Sequence, residues 1–333
     1  MAIFKNNHTD EDADTAKGGC INICDSSLET GDFTITDCIF DGNYTNGRDH
    51  YALGGAINVG GSSSNNWAMK AKIARCLFKD NYARQAGAIW LQGPSAETWI
   101  SDCVFTGNHM TGTYGTTINI STGKSLCLNN CSFADDTYSE NANGQQSCWV
   151  NFKADGKFVM CNSTLIGTTR KATGLATSTN PNLLRFDGNR PGAKYLINNI
   201  IAPTGSCNAM DAQSNTITAK FNKHGSVLNG GNYSGSGTES DGYLGTSAYF
   251  GGLGWFDTES PASWTNRYWN WDGTLSGGSN TEMAKLEDVQ SAIREADSDF
   301  AAWLVSIGSF DKDCKGNTRG TTTWPGAFDG TNE

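Results

Sequence analysis

The sequence is short of basic charge, proline, histidine and long apolar runs, and each shortage excludes something. Lys and Arg number 24 against 34 Asp and Glu, which gives a net charge of −10 and a pI near 4.9. Nucleic-acid association rests on clustered cations that neutralise phosphates, so no nucleic-acid partner is expected; an anionic membrane surface is disfavoured for the same reason. No apolar run approaches the ~18 residues that suggest a bilayer span, so no transmembrane segment is expected. The four histidines, His8, His50, His109 and His224, are scattered, and the eleven cysteines contain no C-x-x-C pair. No metal site is therefore expected. No Ser/His/Asp constellation, phosphate loop or dinucleotide fingerprint is evident. The opening residues, Met1-Ala-Ile-Phe-Lys-Asn-Asn7, carry no export signal.

What remains favours strands. Charged residues are 17% and prolines only six, while the 40 glycines are accompanied by abundant Asn, Ser and Thr. Apolar residues at 37% plus the glycines make about half the chain, an ordinary globular share. This balance suits many short strands joined by polar turns and argues against a helical bundle. At 333 residues the chain exceeds the usual single domain, but repeat architectures of this length form one body.

A repeat is present, Cys-x-Phe-x-x-Asn. It occurs as Cys38-Ile-Phe-Asp-Gly-Asn43, Cys76-Leu-Phe-Lys-Asp-Asn81 and Cys103-Val-Phe-Thr-Gly-Asn108, with Cys131-Ser-Phe-Ala-Asp-Asp136 a close variant. Ile3-Phe4-Lys-Asn-Asn7 is a partial copy, and Ser163-Thr-Leu165 and Asn199-Ile-Ile201 are degraded ones. Phe4, Phe40, Phe78, Phe105, Phe133, Leu165 and Ile201 then follow at intervals of 36, 38, 27, 28, 32 and 36 residues. Each unit holds a second strand-like run, such as Gly54-Gly-Ala-Ile-Asn-Val59, and a third before the next Cys, such as Thr98-Trp-Ile100. Three short strands per unit with Gly and Asn corners describe one rung of a parallel β-helix.

Stacked rungs place equivalent residues ~4.8 Å apart. The phenylalanines become an interior aromatic stack, and Asn7, Asn43, Asn81 and Asn108 a corner ladder. Cys38, Cys76, Cys103 and Cys131 become a column of free buried thiols, because parallel side chains at the rung spacing leave Cβ atoms too far apart for a relaxed disulfide.

These motifs resemble the right-handed parallel β-helix superfamily of pectate-lyase-like enzymes, polymorphic outer-membrane proteins and exported bacterial proteins. The resemblance covers roughly residues 1 to 202. The ending Phe300-Ala-Ala-Trp-Leu304, Asp311-Lys-Asp-Cys-Lys-Gly-Asn-Thr-Arg319 and Trp324-Pro-Gly-Ala-Phe328 is similar to C-terminal endings of exported Bacteroidetes β-helix proteins. It implies secreted or cell-surface placement. Since no export signal is written and Phe4 already lies in phase, the expectation is that the chain begins inside a larger precursor or at a trimmed start.

Beyond about residue 205 the repeat fades. The β-helix is expected over 1–229, with Thr216 to Phe221 and Ser226 to Leu228 as looser strands and 230–245 as a loop. The segment 230–333 is expected to pack on the solenoid. Its aromatic cluster, Trp255, Phe256, Trp264, Tyr268, Trp269 and Trp271, reads as a small core sealing the coil or as a sugar-stacking platform. Ser279-Asn-Thr-Glu282 is a capping-box pattern, and Met283, Leu286, Val289 and Ile293 recur at helical spacing. The pattern predicts a helix over 281–296 and a second turn over 299–306, both capping the coil end.

Two outward columns could carry chemistry. If Ile21 and Ile23 face inward, alternation exposes Asn22, Asn58, Trp90 and Asn119 in one column that Arg185 extends; amides, an indole and a guanidinium on one face resemble a sugar-binding strip. The second column, Asp37, Arg75, Asp102 and Asn130, places an arginine between two carboxylates. In the β-helix lyases of the resembled superfamily, acids hold calcium and an Arg or Lys takes a proton, so Asp37, Arg75 and Asp102 are the catalytic candidates, with calcium as cofactor only in that case. The simpler reading of the trio is a salt ladder, which the neighbouring alternation Lys5, Asp41, Lys79 supports.

The sequence thus leads to an all-β, right-handed parallel β-helix with a helical and aromatic C-terminal cap, expected to be monomeric and exported, whose face interacts with polysaccharide or cell-surface glycan. A polysaccharide lyase or glycoside hydrolase of the same fold is the alternative, and a structural stalk of a larger surface protein the third reading.

Overall fold

The computed structural model describes residues 1–11, 16–23, 30–47, 52–60, 68–93, 95–110, 116–134, 137–138, 148–166, 182–202, 208–224, 232–234, 284–314, 316–323 and 325–327. Within them four all-parallel sheets of eight, five, seven and eight strands run side by side. The chain visits them in turn: Cys38–Asp41 in the first sheet, Tyr44–Gly47 in the second, Ile57–Val59 in the third, Ala68–Ala74 in the fourth, then Leu77–Lys79 back in the first. That winding is a parallel β-helix. The expected rung of three strands is corrected to four in the N-terminal half, because a strand of two to four residues follows the Asn corner, as at Tyr82–Ala83 and His109–Met110. It is too short to show a period.

The repeat phase matches the observed register: Phe4, Phe40, Phe78, Phe105, Phe133, Leu165 and Ile201 pair rung to rung, and His224 follows. The five rings stack with centroids 5.0, 4.8, 4.8 and 4.5 Å apart. The four column cysteines are free, and each thiol donates to the carbonyl two residues earlier, at 3.1 to 3.3 Å. Ser163, Asn199 and Asn222 continue this column as a chain of side-chain acceptors for the preceding rung's amide.

The Asn ladder explains why the repeat needs that residue. Asn81 Nδ2 donates to Asn108 Oδ1 and to the Phe40 carbonyl, while Asn81 Oδ1 accepts both the amide and Nδ2 of Asn43. A buried asparagine here satisfies backbone groups that the corner takes out of the sheets. The corners themselves use left-handed backbone. Asn6, Gly42, Asp80 and Gly107 turn the first sheet into the second at φ of 52 to 67°. The next corner, from the second sheet into the third, carries the Gly-Gly pair. Gly54 has φ 68°, and a Cβ on Gly55 would lie 2.2 Å from the Gly87 carbonyl oxygen, so the rungs stack there only without side chains.

The C-terminal region differs from its pattern. Asn232–Ser234 adds a strand to the fourth sheet inside the expected loop, whereas Ser226 to Leu228 and the aromatic cluster from Trp255 to Trp271 lie outside the described residues. The first helix, α1, spans Leu286–Ala296 and starts later than expected, because Ala284–Lys285 pairs antiparallel with Thr322–Thr323. The second, α2, spans Ser298–Ser306 and is capped by Asp297, whose side chain accepts from the Phe300 amide at 2.9 Å.

The two helices form the small helical cap, and it is seated against a flank of the coil. Their buried faces, Val289, Ile293, Phe300, Trp303 and Leu304, pack with Trp99, Cys127 and Val159. Those three occupy one outward column of the fourth sheet, so the helices cover its flank. The driving feature is that an outward column of a solenoid sheet is apolar there and must be buried.

Candidate functional site

The corner trio comes first. Asp37, Arg75, Asp102 and Asn130 share φ of 50 to 56° and turn the fourth sheet into the first; Asn162, Asn198 and Phe221 continue the corner. Asp and Asn adopt this conformation cheaply and arginine does not, so the column is first a corner. Arg75 lies between the two acids along the corner, but its side chain bonds to only one of them. It forks onto Asp37 alone, Nε to Oδ1 at 2.7 Å and Nη2 to Oδ2 at 2.8 Å, with both side chains more than two-fifths exposed. The guanidinium holds the Asp37 carboxyl below its usual range.

Asp102 is buried and committed elsewhere. It accepts from Ser101 Oγ at 2.9 Å, from Asn130 Nδ2 at 3.0 Å and from Ser309 Oγ, so the C-terminal segment closes over it. The structure separates the three catalytic candidates into an exposed ion pair and a covered carboxylate. Among the described residues no group of three or more His, Cys, Asp or Glu is placed to hold a metal ion.

Burial raises the Asp102 carboxyl above its ordinary range. The folded chain then binds that proton more tightly than the unfolded chain does. The associated stability is present below the unfolded value of about 4 and is lost as the pH rises through the folded value. Asp102→Asn keeps a residue suited to positive φ and removes the buried charge. It is expected to leave the chain at least as stable as the wild type at pH 7 and to flatten the pH dependence above about 4. Denaturation midpoints across that range check this, and an unchanged slope would contradict it.

The second column is aligned as the repeat predicted. Asn22, Asn58, Trp90, Asn119, Asn151, Arg185 and Asp211 are successive partners across the third sheet. Its expected exposure is corrected, since Asn58, Trp90, Asn119 and Arg185 are only 0%, 7%, 3% and 7% exposed. Trp90 packs with Leu53 and Ala86. Asn58 Nδ2 donates to Asn22 Oδ1 at 2.8 Å and Asn151 Nδ2 to Asn119 Oδ1 at 2.7 Å, while Arg185 Nη2 donates to Asp187 at 3.1 Å. Alternation tells which side of a strand a residue takes and nothing about what lies over that side.

An accessible strip lies instead on the second sheet. His8, Tyr44, Tyr82 and His109 are register partners in one column. The His8 side chain is 50% exposed, and the other three are half-buried. His8 stacks on Tyr44 at 4.8 Å and Tyr82 on His109 at 5.5 Å. Burial lowers the His109 imidazole below its ordinary value. Stacked rings occupy each other's faces, so the strip presents ring edges and the two tyrosines, with His8 Nε2 3.4 Å from Asp10 Oδ2 at its end. The sequence carries a signal for it: the residue after each ladder asparagine is aromatic at Asn7-His8, Asn43-Tyr44, Asn81-Tyr82 and Asn108-His109. At the strip's N-terminal end, His8 helps to line an open cleft of about 710 Å³ with Asn6, Asn7, Lys17 and Asn22.

No family model, curated protein or solved structure matches the chain. Among the described residues no helix is long and apolar enough to cross a membrane.

Proposed function

We propose that this parallel β-helix is a non-catalytic glycan-binding module, displayed by a secreted or cell-surface protein. The observation that carries the reading is the accessible column His8, Tyr44, Tyr82 and His109. Its groups recur at the rung spacing, and hydroxyls and ring nitrogens both donate to and accept from sugar hydroxyls. The two acids among the catalytic candidates argue the other way: Asp37 is forked to Arg75, and Asp102 lies under Ser309. Export rests on the resemblance of the repeat and of the C-terminal ending to exported bacterial β-helix proteins of the pectate-lyase-like superfamily.

The test is retention of the protein on immobilised neutral and acidic polysaccharides, with and without calcium, while unsaturated-product absorbance and reducing ends are followed. Retention without product is expected, weakened about tenfold or more when Tyr44 and Tyr82 are both changed to alanine, the equivalent of one or two lost hydrogen bonds. Product formation would replace this reading with the lyase or hydrolase, and no retention on any glycan would leave the stalk.

A further inference from the structure

Every sheet of the coil ends, on its N-terminal side, in a strand of the first rung: Ala2–Lys5, His8–Glu11, Ile21–Ile23 and Thr30–Thr36. Among the described residues nothing pairs with the outer edge of these strands. The core is cut open there, since its partly buried apolar members are Phe4, Cys20, Ile21, Phe33 and Ile35, all from the first rung. Ala2–Lys5 is exposed except for half-buried Phe4, with Ile3 at 51%, whereas Cys38–Asp41 in the next rung is buried throughout. An open cleft of about 710 Å³, lined in part by Asn6, Asn7, His8 and Thr9, gives this edge room. Edges that stay unpaired are often blunted by proline, a bulge or an inward-pointing charge. Ala2–Lys5 has none of these: it pairs residue for residue with Cys38–Asp41, and its inward positions are Ala2 and Phe4.

The first rung also shows what would complete it. The Asn7 amide and Nδ2 donate to Asn43 Oδ1 at 3.0 and 2.9 Å. Further along, each ladder Oδ1 accepts such a pair from the rung before it, as Asn81 does from Asn43. Each Nδ2 also donates to the carbonyl of the preceding rung's phenylalanine: Asn43 to Phe4, Asn81 to Phe40 and Asn108 to Phe78, all at 3.0 Å. Asn7 stands one rung short. Among the described residues its Oδ1 accepts nothing and its Nδ2 lacks that second acceptor. Phe4 stacks on Phe40 with one face and offers the other. Charge follows the same order, for Lys5, Asp41 and Lys79 alternate along the register, and Lys5 bonds to Asp41 at 2.9 Å while its side chain remains 58% exposed. The complement on the open side of Lys5 is therefore an acid.

We propose that this end is a docking site for one extended strand of a partner polypeptide, added in parallel over Ala2 to Thr9 and carrying the pattern aromatic-acid-Gly-Asn. Its aromatic ring covers the free face of Phe4, its acid meets Lys5, and its glycine turns the corner that Asn6 makes at φ 52°. Its asparagine supplies the two donors that Asn7 Oδ1 lacks, and the carbonyl of its aromatic residue accepts from Asn7 Nδ2. Backbone pairing provides affinity, and these four side chains provide selection. The chain's own Phe40-Asp-Gly-Asn43 has this pattern. A second copy meeting this end head-on is disfavoured, since its strands would run antiparallel and both ends present the ladder oxygen without the donors. This peptide seat stands apart from the glycan strip and shares only His8 at its margin.

The experiment titrates the full chain with a blocked octapeptide that copies residues 38–45 and carries Cys38→Ser. Saturable binding is expected, with slowed amide exchange confined to residues 2–9. Alanine in place of the peptide's asparagine should weaken binding about tenfold, the equivalent of one or two lost hydrogen bonds. Lysine in place of its aspartate should also weaken it, and Lys5→Glu in the protein should restore that peptide while losing the parent one. The peptide series uses the unaltered protein, so it decides alone if Lys5→Glu fails to fold. No saturable binding up to about 1 mM, equal binding of a scrambled octapeptide, or slowed exchange elsewhere overturns the proposal. Dimerisation through this end, seen by sedimentation and competed by the peptide, gives the seat to a second copy and overturns the partner assignment.

Discussion

Arg319→Ala is expected to cost several kcal/mol of stability and to release the C-terminal segment from the solenoid, since each buried acceptor left without its donor costs about 1–3 kcal/mol. Arg319 is 3% exposed. Its Nη2 donates to Asn130 Oδ1 at 3.1 Å and to the Gly326 carbonyl at 2.9 Å, its Nη1 to Thr323 Oγ1 at 2.7 Å and its Nε to the Lys312 carbonyl at 3.2 Å. One side chain thus ties the chain between 312 and 326 to the Asn130 corner. Gly326 and Ala327 finish the attachment through the Asn198 carbonyl and Thr164 Oγ1. Alanine would leave these acceptors buried and without that donor, each a desolvation penalty. Arg319→Lys should recover less than half, because an ammonium cannot reproduce the planar fork. Chemical denaturation gives the stability change, and limited proteolysis between 307 and 327 reports detachment. A midpoint within about 0.5 kcal/mol of wild type, the usual span for an indifferent surface change, would show that the clasp does not depend on Arg319.

Phe105→Ala should be comparably severe, at about 3–5 kcal/mol, the usual cost of emptying a buried phenylalanine site. Its ring is fully buried, with stacked neighbours at 4.8 Å on one side and 4.5 Å on the other. The cavity cannot collapse easily, since Phe78 and Phe133 are each held by the register of their own rungs. A solenoid communicates only between neighbouring rungs, so a gap here also weakens the coupling of the two halves. A lower urea m value is therefore expected alongside the lower midpoint. Phe4→Ala, at the half-buried end of the same stack, is the control and should cost about 1 kcal/mol, since it removes stacking on one side only. Equal costs at the two positions would contradict the stack as the organising core.

The fold was largely legible because its signal is local and repeated. Cys-x-Phe-x-x-Asn places a corner amide three residues after a core ring, and the register of seven phase residues follows from that spacing. The aromatic strip was legible in principle, as the residue following each ladder asparagine, but its strands are too short to show alternation. The helix start was misplaced because Ala284–Lys285 is claimed by Thr322–Thr323, a pairing between segments nearly forty residues apart.

The sequence by itself determined three of the rung's four strands, the interior ladders and which residues share a column on those three, because these follow from spacing along the chain and the two-residue period of a strand. Only the tertiary structure decided which outward columns meet water. The fourth sheet's Trp99 column lies under α1 and α2, Asp102 lies under Ser309 from 207 residues away, and Trp90 is buried while His8 and Tyr44 keep solvent access. Alternation tells a side chain to point out of the coil; whether it finds solvent depends on which distant segment docks there, and that is a property of packing that no local pattern carries.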